Sequence, residues 1–129
     1  MRIQGLMIED VVTVSGSIPV KEAIETLYNR HIGSVIITDG DCKGKGIFTE
    51  RDAIRIVATG VSLDTPLKKV MTRNLKTISL DATFSQARRI MDTYHIRHLP
   101  VIDEQGCVVG LVSLRTILDE LLGIHTITT

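Results

Sequence analysis

A chain of 129 residues with 43% apolar and 23% charged residues is sized and balanced for about one compact domain. Lys plus Arg equals Asp plus Glu at 15 each, so the basic excess of a dedicated nucleic-acid binder is missing. Aromatics are 3% and Trp is absent, which leaves Val, Ile and Leu to fill the core. Through Asp64 there are 7 basic and 9 acidic residues, and after it 8 and 6, so the spare positive charge lies in the second half. The chain start does not read as a signal peptide, and no apolar run reaches the roughly 18 residues of a membrane span. A cytoplasmic protein without a membrane partner is expected. Cys42 and Cys107 form no CxxC and have no His at metal spacing, so reduced structural thiols and no metal site are expected.

In chain order, "VVTV" is a short β-rich piece. In "PVKEAIETLYNRHI" the residues Val20, Ala23, Ile24 and Leu27 follow the i, i+3, i+4, i+7 rule of a one-faced helix. "SVIIT" is the continuous apolar run of a buried strand. Turn-rich "DGDCKGKG" leads to "GIFT", a returning strand, and "ERDAIRIVAT" is a helix. "GVSLDTPLKKVMTRN" carries the chain onward and is too short and too apolar for a disordered linker. The order then recurs: "LKTI", "TFSQARRIMDTYHI", "LPVI", the turn "DEQG", "VVGLVS" and "LRTILDELL". Thr83 and Gln86 stand at capping-box spacing, and Gly123 closes the last helix.

This recurrence is a repeat. Sliding the chain by the offset from Met7 to Met71 also puts Thr13 on Thr77, Ser15 on Ser79, Ala23 on Ala87, His31-Ile32 on His95-Ile96 and Gly46 on Gly110. The sequence therefore reads as two copies, 1–64 and 65–129, each β-α-β-β-α, in an α+β fold. The last helix of each copy is apolar most of the way round, through Ala53, Ile54, Ile56, Val57 and Ala58 and through Ile117, Leu118, Leu121 and Leu122. Such a helix is buried on two sides, so a symmetric homodimer through Ala53–Ala58 and Ile117–Leu122 is expected.

"GIFTERD" carries the candidate chemistry. Thr49 and Asp52 at this spacing form a helix cap, in which each side chain satisfies the other residue's N–H. The same helix start is also an anion site, because its unpaired N–H groups and the helix dipole both favour negative charge.

Four strings, in chain order "GIFTERD", "VMTRNLKTIS", "HIRHLPVID" and "GLVSLRT", placed at matching spacing in the two copies, resemble the cystathionine-β-synthase (CBS) domain, which occurs as tandem pairs. The resemblance implies a Bateman module: two βαββα repeats packed about a pseudo-two-fold axis, usually dimeric, binding adenine nucleotides or adenosyl ligands in clefts between repeats. It also implies that the Ser or Thr of the G-h-x-[Ser/Thr]-x-x-Asp string meets phosphate and that its Asp takes the ribose hydroxyls. Carried onto this chain, the stronger site combines Thr49, Arg51 and Asp52 with Lys76, Thr77, Ile78, Arg97, His98 and Pro100. The weaker site combines Ser113 and Thr116 with Val12, Thr13, Val14, Gly33 and Ser34. It lacks the carboxylate and the cation, because Thr116 replaces Asp52 and Gly33-Ser34 replaces Arg97-His98.

Plainer readings stand beside these. Arg97 and His98 suit a solvated strand end, and Pro100 an edge position or strand start. His31 and His95 suit the last turn of their helices, where an imidazolium complements the dipole. Arg88 and Arg89 suit a solvated face, and Arg51 and Arg115 a pairing along their helices.

The expected function is a stand-alone, non-catalytic sensor for AMP, ADP, ATP or an S-adenosyl ligand that signals to a partner protein, with no cofactor required. No Gly-rich phosphate loop, metal cluster or activated nucleophile marks an enzyme. Two alternatives remain open: a constitutive protein-interaction adaptor, and a nucleic-acid-binding module using Lys68, Lys69, Arg73 and Lys76.

Overall fold

The computed structural model describes residues 2–123. The first copy forms β1 (Thr13–Ser15), α1 (Val20–Arg30), β2 (Ser34–Thr38), β3 (Gly44–Thr49) and α2 (Glu50–Ala58). The second forms β4 (Ile78–Ser79), α3 (Phe84–Tyr94), β5 (His98–Ile102), β6 (Val108–Ser113) and α4 (Leu114–Leu122). The fold is α+β with two βαββα runs, as the repeat implies.

In each copy the first strand runs parallel to the second, and the second pairs antiparallel with the third, giving sheets ordered β1-β2-β3 and β4-β5-β6. A parallel pair needs a crossover, which α1 and α3 supply. Helix α1 buries Val20, Ala23 and Leu27 in a cluster with Val35, Ile37, Phe48 and Ile56. Helix α3 does the same with Ala87 and Met91, in a cluster with Leu99, Val101, Val112 and Ile117. The expected capping box of α3 is formed: the Gln86 N–H donates to Thr83 Oγ1 at 3.2 Å and the Thr83 N–H to Gln86 Oε1 at 2.8 Å.

Both helices end before the histidines that the sequence placed in their last turns. His31 and His95 lie beyond the last turn as C-caps, in left-handed backbone at φ 54° and 53°. That conformation closes the helix by returning the cap N–H to Leu27 and Tyr28 carbonyls in one copy and to Met91 in the other.

The packing units are cut differently from the sequence copies. Residues 12–75 form one compact unit, and residues 2–11 join 76–123 in the other. Leu67 and Met71 are buried in the core of the 12–75 unit. Their counterparts Ile3 and Met7 serve the other core, Ile3 fully buried and Met7 packed against it. Backbone bonds fix the exchange: Thr72 and Ile47 bond both ways at 2.9 and 3.0 Å, and Ile8 and Leu111 at 2.8 and 2.9 Å. Each copy's leading segment thus completes the core that contains the other copy's strands.

Pro100 lies neither on an edge nor at a strand start. It is the middle residue of β5, the central strand of its sheet. Its counterpart Ile36 donates its N–H to the Val12 carbonyl at 3.0 Å. Proline has no such donor, and β4 spans two residues where β1 spans three. A central proline is tolerated because the parallel neighbour stops short of it.

No helix among the described residues is long and apolar enough to cross a membrane.

Candidate functional site

Strand β3 ends at Thr49, whose extended backbone (φ −115°, ψ 170°) makes it the N-cap of α2. The Asp52 N–H donates to Thr49 Oγ1 at 3.2 Å. In return Asp52 Oδ2 accepts the Thr49 N–H at 2.9 Å and the Thr49 hydroxyl at 3.1 Å. The cap is complete, and it consumes one carboxylate oxygen.

Among the described residues the other oxygen, Oδ1, meets only long contacts, from Arg55 Nη2 and from Thr72 Oγ1, each at 3.5 Å. Arg55 Nη2 is held more tightly by the Val70 carbonyl, at 2.9 Å. The Asp52 side chain is 14% exposed, so its charge is partly shielded from water yet reachable. Arg51 is exposed on the first turn of α2.

Ser34 faces Thr49 directly across the β2–β3 ladder. Residues directly opposite in an antiparallel ladder share a face. Ser34 is 6% exposed, and its Oγ has no hydrogen-bond partner among the described residues. The α2 N-terminus also binds back to this strand, the Glu50 N–H donating to the Gly33 carbonyl at 3.1 Å. The sequence assigned Gly33 and Ser34 to the weaker site. Within the 12–75 unit they adjoin Thr49.

The 76–123 unit repeats this frame with weaker chemistry. Ser113 ends β6, faces His98 across the ladder, and accepts the Thr116 N–H at 3.1 Å. The Ser113 and Thr116 hydroxyls are 2.9 Å apart and share a hydrogen bond. The Leu114 N–H donates to the Arg97 carbonyl at 2.7 Å, as Glu50 does to Gly33. A neutral hydroxyl, Thr116 Oγ1, stands where the other unit has a carboxylate. His98 is half-buried and Pro100 buried, while Arg97 is exposed.

Lys76 and Thr77 lead into β4, which Ile78 begins. Lys76 Nζ sits 4.5 Å from the centroid of the Tyr94 ring, a cation–π contact that steadies the charge. Because Pro100 has no N–H, the Lys76 carbonyl lacks the bond that Val12 receives from Ile36. Thr77 and Ile78 also line an open groove of about 530 Å³ with Ser79, Asp81, Gln86 and Arg89. In the other unit Val12 and Val14 are half-buried and Thr13 exposed.

Sequence reasoning missed Arg55, Thr72 and Tyr94. Arg55 follows Asp52 at i+3, which is a readable signal on a helix. Thr72 and Tyr94 have no signal in the sequence, since each meets its partner only through folding.

The CBS domain model matches residues 3–59 and again residues 67–123. An uncharacterized 17.7 kDa protein of Acidianus ambivalens is 33% identical over 116 residues, covering 90% of this chain and 70% of that protein. The CBS domain pair of protein MJ0100, solved with 5′-methylthioadenosine and S-adenosyl-L-methionine, is similar with a TM-score of 0.88 and 26% identity. That match covers 95% of this chain and 97% of the other. The CBS domain protein PAE2072 of Pyrobaculum aerophilum, complexed with AMP, gives a TM-score of 0.86 at 25% identity, over 95% and 99% of the two chains. With both copies matched and the βαββα order present twice, this chain belongs to the CBS-domain family, as a tandem pair.

Proposed function

We propose that this CBS pair is a non-catalytic regulatory module that binds an adenine nucleotide or S-adenosyl ligand and signals to a partner protein. The observation that carries the reading is the Asp52 carboxylate, one oxygen of which is locked in the α2 cap while the other, among the described residues, meets only contacts of 3.5 Å. An outward acceptor of this kind suits a ribose hydroxyl, and a sugar lacking that hydroxyl leaves the acceptor unpaired. Similar CBS proteins were solved with AMP and with S-adenosyl-L-methionine, which supports an adenosine-bearing ligand.

In this reading the stronger site uses Thr49, Arg51 and Asp52 with Lys76, Thr77, Ile78, Arg97, His98 and Pro100. The Lys76 carbonyl is available to an adenine amino group, and Lys76 and Arg97 supply positive charge toward phosphate. Thr49 must then redirect its proton, because its hydroxyl donates to Asp52 and a phosphate accepts but does not donate. The weaker site, with Ser113 and Thr116 and with Val12, Thr13, Val14, Gly33 and Ser34, offers no carboxylate.

The module also forms a homodimer through α2 and α4 in this proposal. Ile54 and Val57 are 70% and 71% exposed, and their repeat counterparts Leu118 and Leu121 are exposed too. Equivalent apolar faces on equivalent helices suit a symmetric interface.

Titration calorimetry with AMP, ATP and S-adenosylmethionine on wild type and Asp52→Asn tests the ligand reading. Asparagine retains an oxygen that can accept the cap N–H while removing the charge. About one ligand per chain, weakened in the variant, is expected. Wild type binding none of the three leaves Asp52 a helix cap and favours an adaptor that works without ligand.

A further inference from the structure

The Asp52 acceptor already has competitors. Oδ2 is spent on the Thr49 N–H and hydroxyl, so a ribose hydroxyl must use Oδ1. Arg55 Nη2 and Thr72 Oγ1 both point donors at Oδ1 from 3.5 Å, long for a hydrogen bond to a charged group. Neither donor is placed by chance. Arg55 is tethered to the Val70 carbonyl at 2.9 Å, and the Thr72 backbone is bonded both ways to Ile47 on β3.

The arrangement accompanies the carboxylate. In the other packing unit the residues at the positions of Arg55 and Thr72 are Asp119 and Ile8, an acid and a hydrocarbon, with Thr116 in place of Asp52.

We infer that Arg55 and Thr72 act as built-in competitors for Asp52 Oδ1 and set ligand affinity at this corner, because an entering ribose must displace both donors. The inference rests on the reading of Asp52 as the ribose acceptor. Displacement costs little, since both contacts are long and the Arg55 side chain is 47% exposed. It also frees Arg55 from one of its two anchors, the other being Val70 in the segment that leads out of the 12–75 unit.

Titration of adenosine, which carries no phosphate, separates this effect from any attraction between Arg55 and a phosphate tail. Wild type, Arg55→Met, Thr72→Val and Asp52→Asn are compared, with urea unfolding confirming that each is folded. Arg55→Met and Thr72→Val are each expected to bind adenosine about two- to fivefold more tightly than wild type, the range of an exposed ionic contact. Asp52→Asn is expected to weaken binding and to erase the gain when combined with either. Thr72→Val, nearly isosteric, decides the matter alone if Arg55→Met disturbs the fold. Unchanged or weaker binding by both variants, with wild-type binding still dependent on Asp52, overturns this inference and leaves the ligand reading intact. Adenosine binding that survives Asp52→Asn unchanged, or no binding by any of the proteins, overturns both.

Discussion

Met71 packs onto Gly46 so closely that a Cβ on the glycine would lie 2.7 Å from the Met71 sulfur and 2.8 Å from the Thr72 carbonyl oxygen. Met7 and Gly110 repeat the relationship, with the Cβ 2.5 Å from sulfur. The glycines are needed here because a leading segment crosses the surface of β3 or β6, and only a bare Cα lets it close.

Gly46→Ala is therefore expected to cost about 1–3 kcal/mol, the range for overpacking a filled core. Met71→Ala empties a core position and is itself expected to cost about 2–5 kcal/mol. The double variant should lose less than the sum of the two, because the sulfur clash is gone while the clash with the Thr72 backbone carbonyl remains. Urea unfolding of the single and double variants measures both, and a neutral Gly46→Ala would show that the segment is not seated there.

The exchange of leading segments decides where the chain can be divided. A fragment of residues 1–64 lacks Leu67 and Met71, two members of the core that it would have to form. A fragment of residues 12–75 contains that core complete. Circular dichroism during urea unfolding should show a cooperative transition for 12–75 and none for 1–64. Equal cooperativity of the two would mean that the exchanged segments contribute nothing essential.

His31 and His95 hold left-handed backbone that glycine adopts without strain. His31→Gly and His95→Gly should each stabilise the protein by about 0.5–1 kcal/mol, the relief of strain exceeding the extra flexibility of the unfolded chain. Thermal unfolding checks this, and a loss of stability in both would show that the imidazoles make a compensating contact.

Two caps with one geometry separate structure from ligand binding. Thr83→Ala and Thr49→Ala both remove the hydroxyl of a complete capping box, and each should cost about 1 kcal/mol. Under the proposed function only Thr49→Ala also weakens AMP binding. Equal AMP affinity for the two would reduce Thr49 to a cap.

Val57→Glu and Leu121→Glu place a charge in the two exposed apolar helix faces without entering either core. Sedimentation velocity should find a homodimer in the wild type and a monomer in the double variant, since burying an unpaired carboxylate costs more than such a contact returns. A monomeric wild type would remove the homodimer from the proposal.

Much was settled along the sequence itself. The repeat, the βαββα order, the α3 capping box and the Thr49–Asp52 cap are local, because periodicity of 2 or 3.6 and the reach of a capping side chain act within a few residues. The copy bearing the carboxylate was legible for the same reason: Asp52 against Thr116 is a comparison of like positions in two strings. What the sequence could not hold is which distant surfaces meet. That Ile3 and Leu67 each serve the other copy's core, that Thr72 reaches Asp52 Oδ1, and that Pro100 is central all depend on contacts between segments far apart in the chain. Such contacts are chosen by close packing and backbone pairing across the whole fold, which leave no periodic trace in the residues that make them.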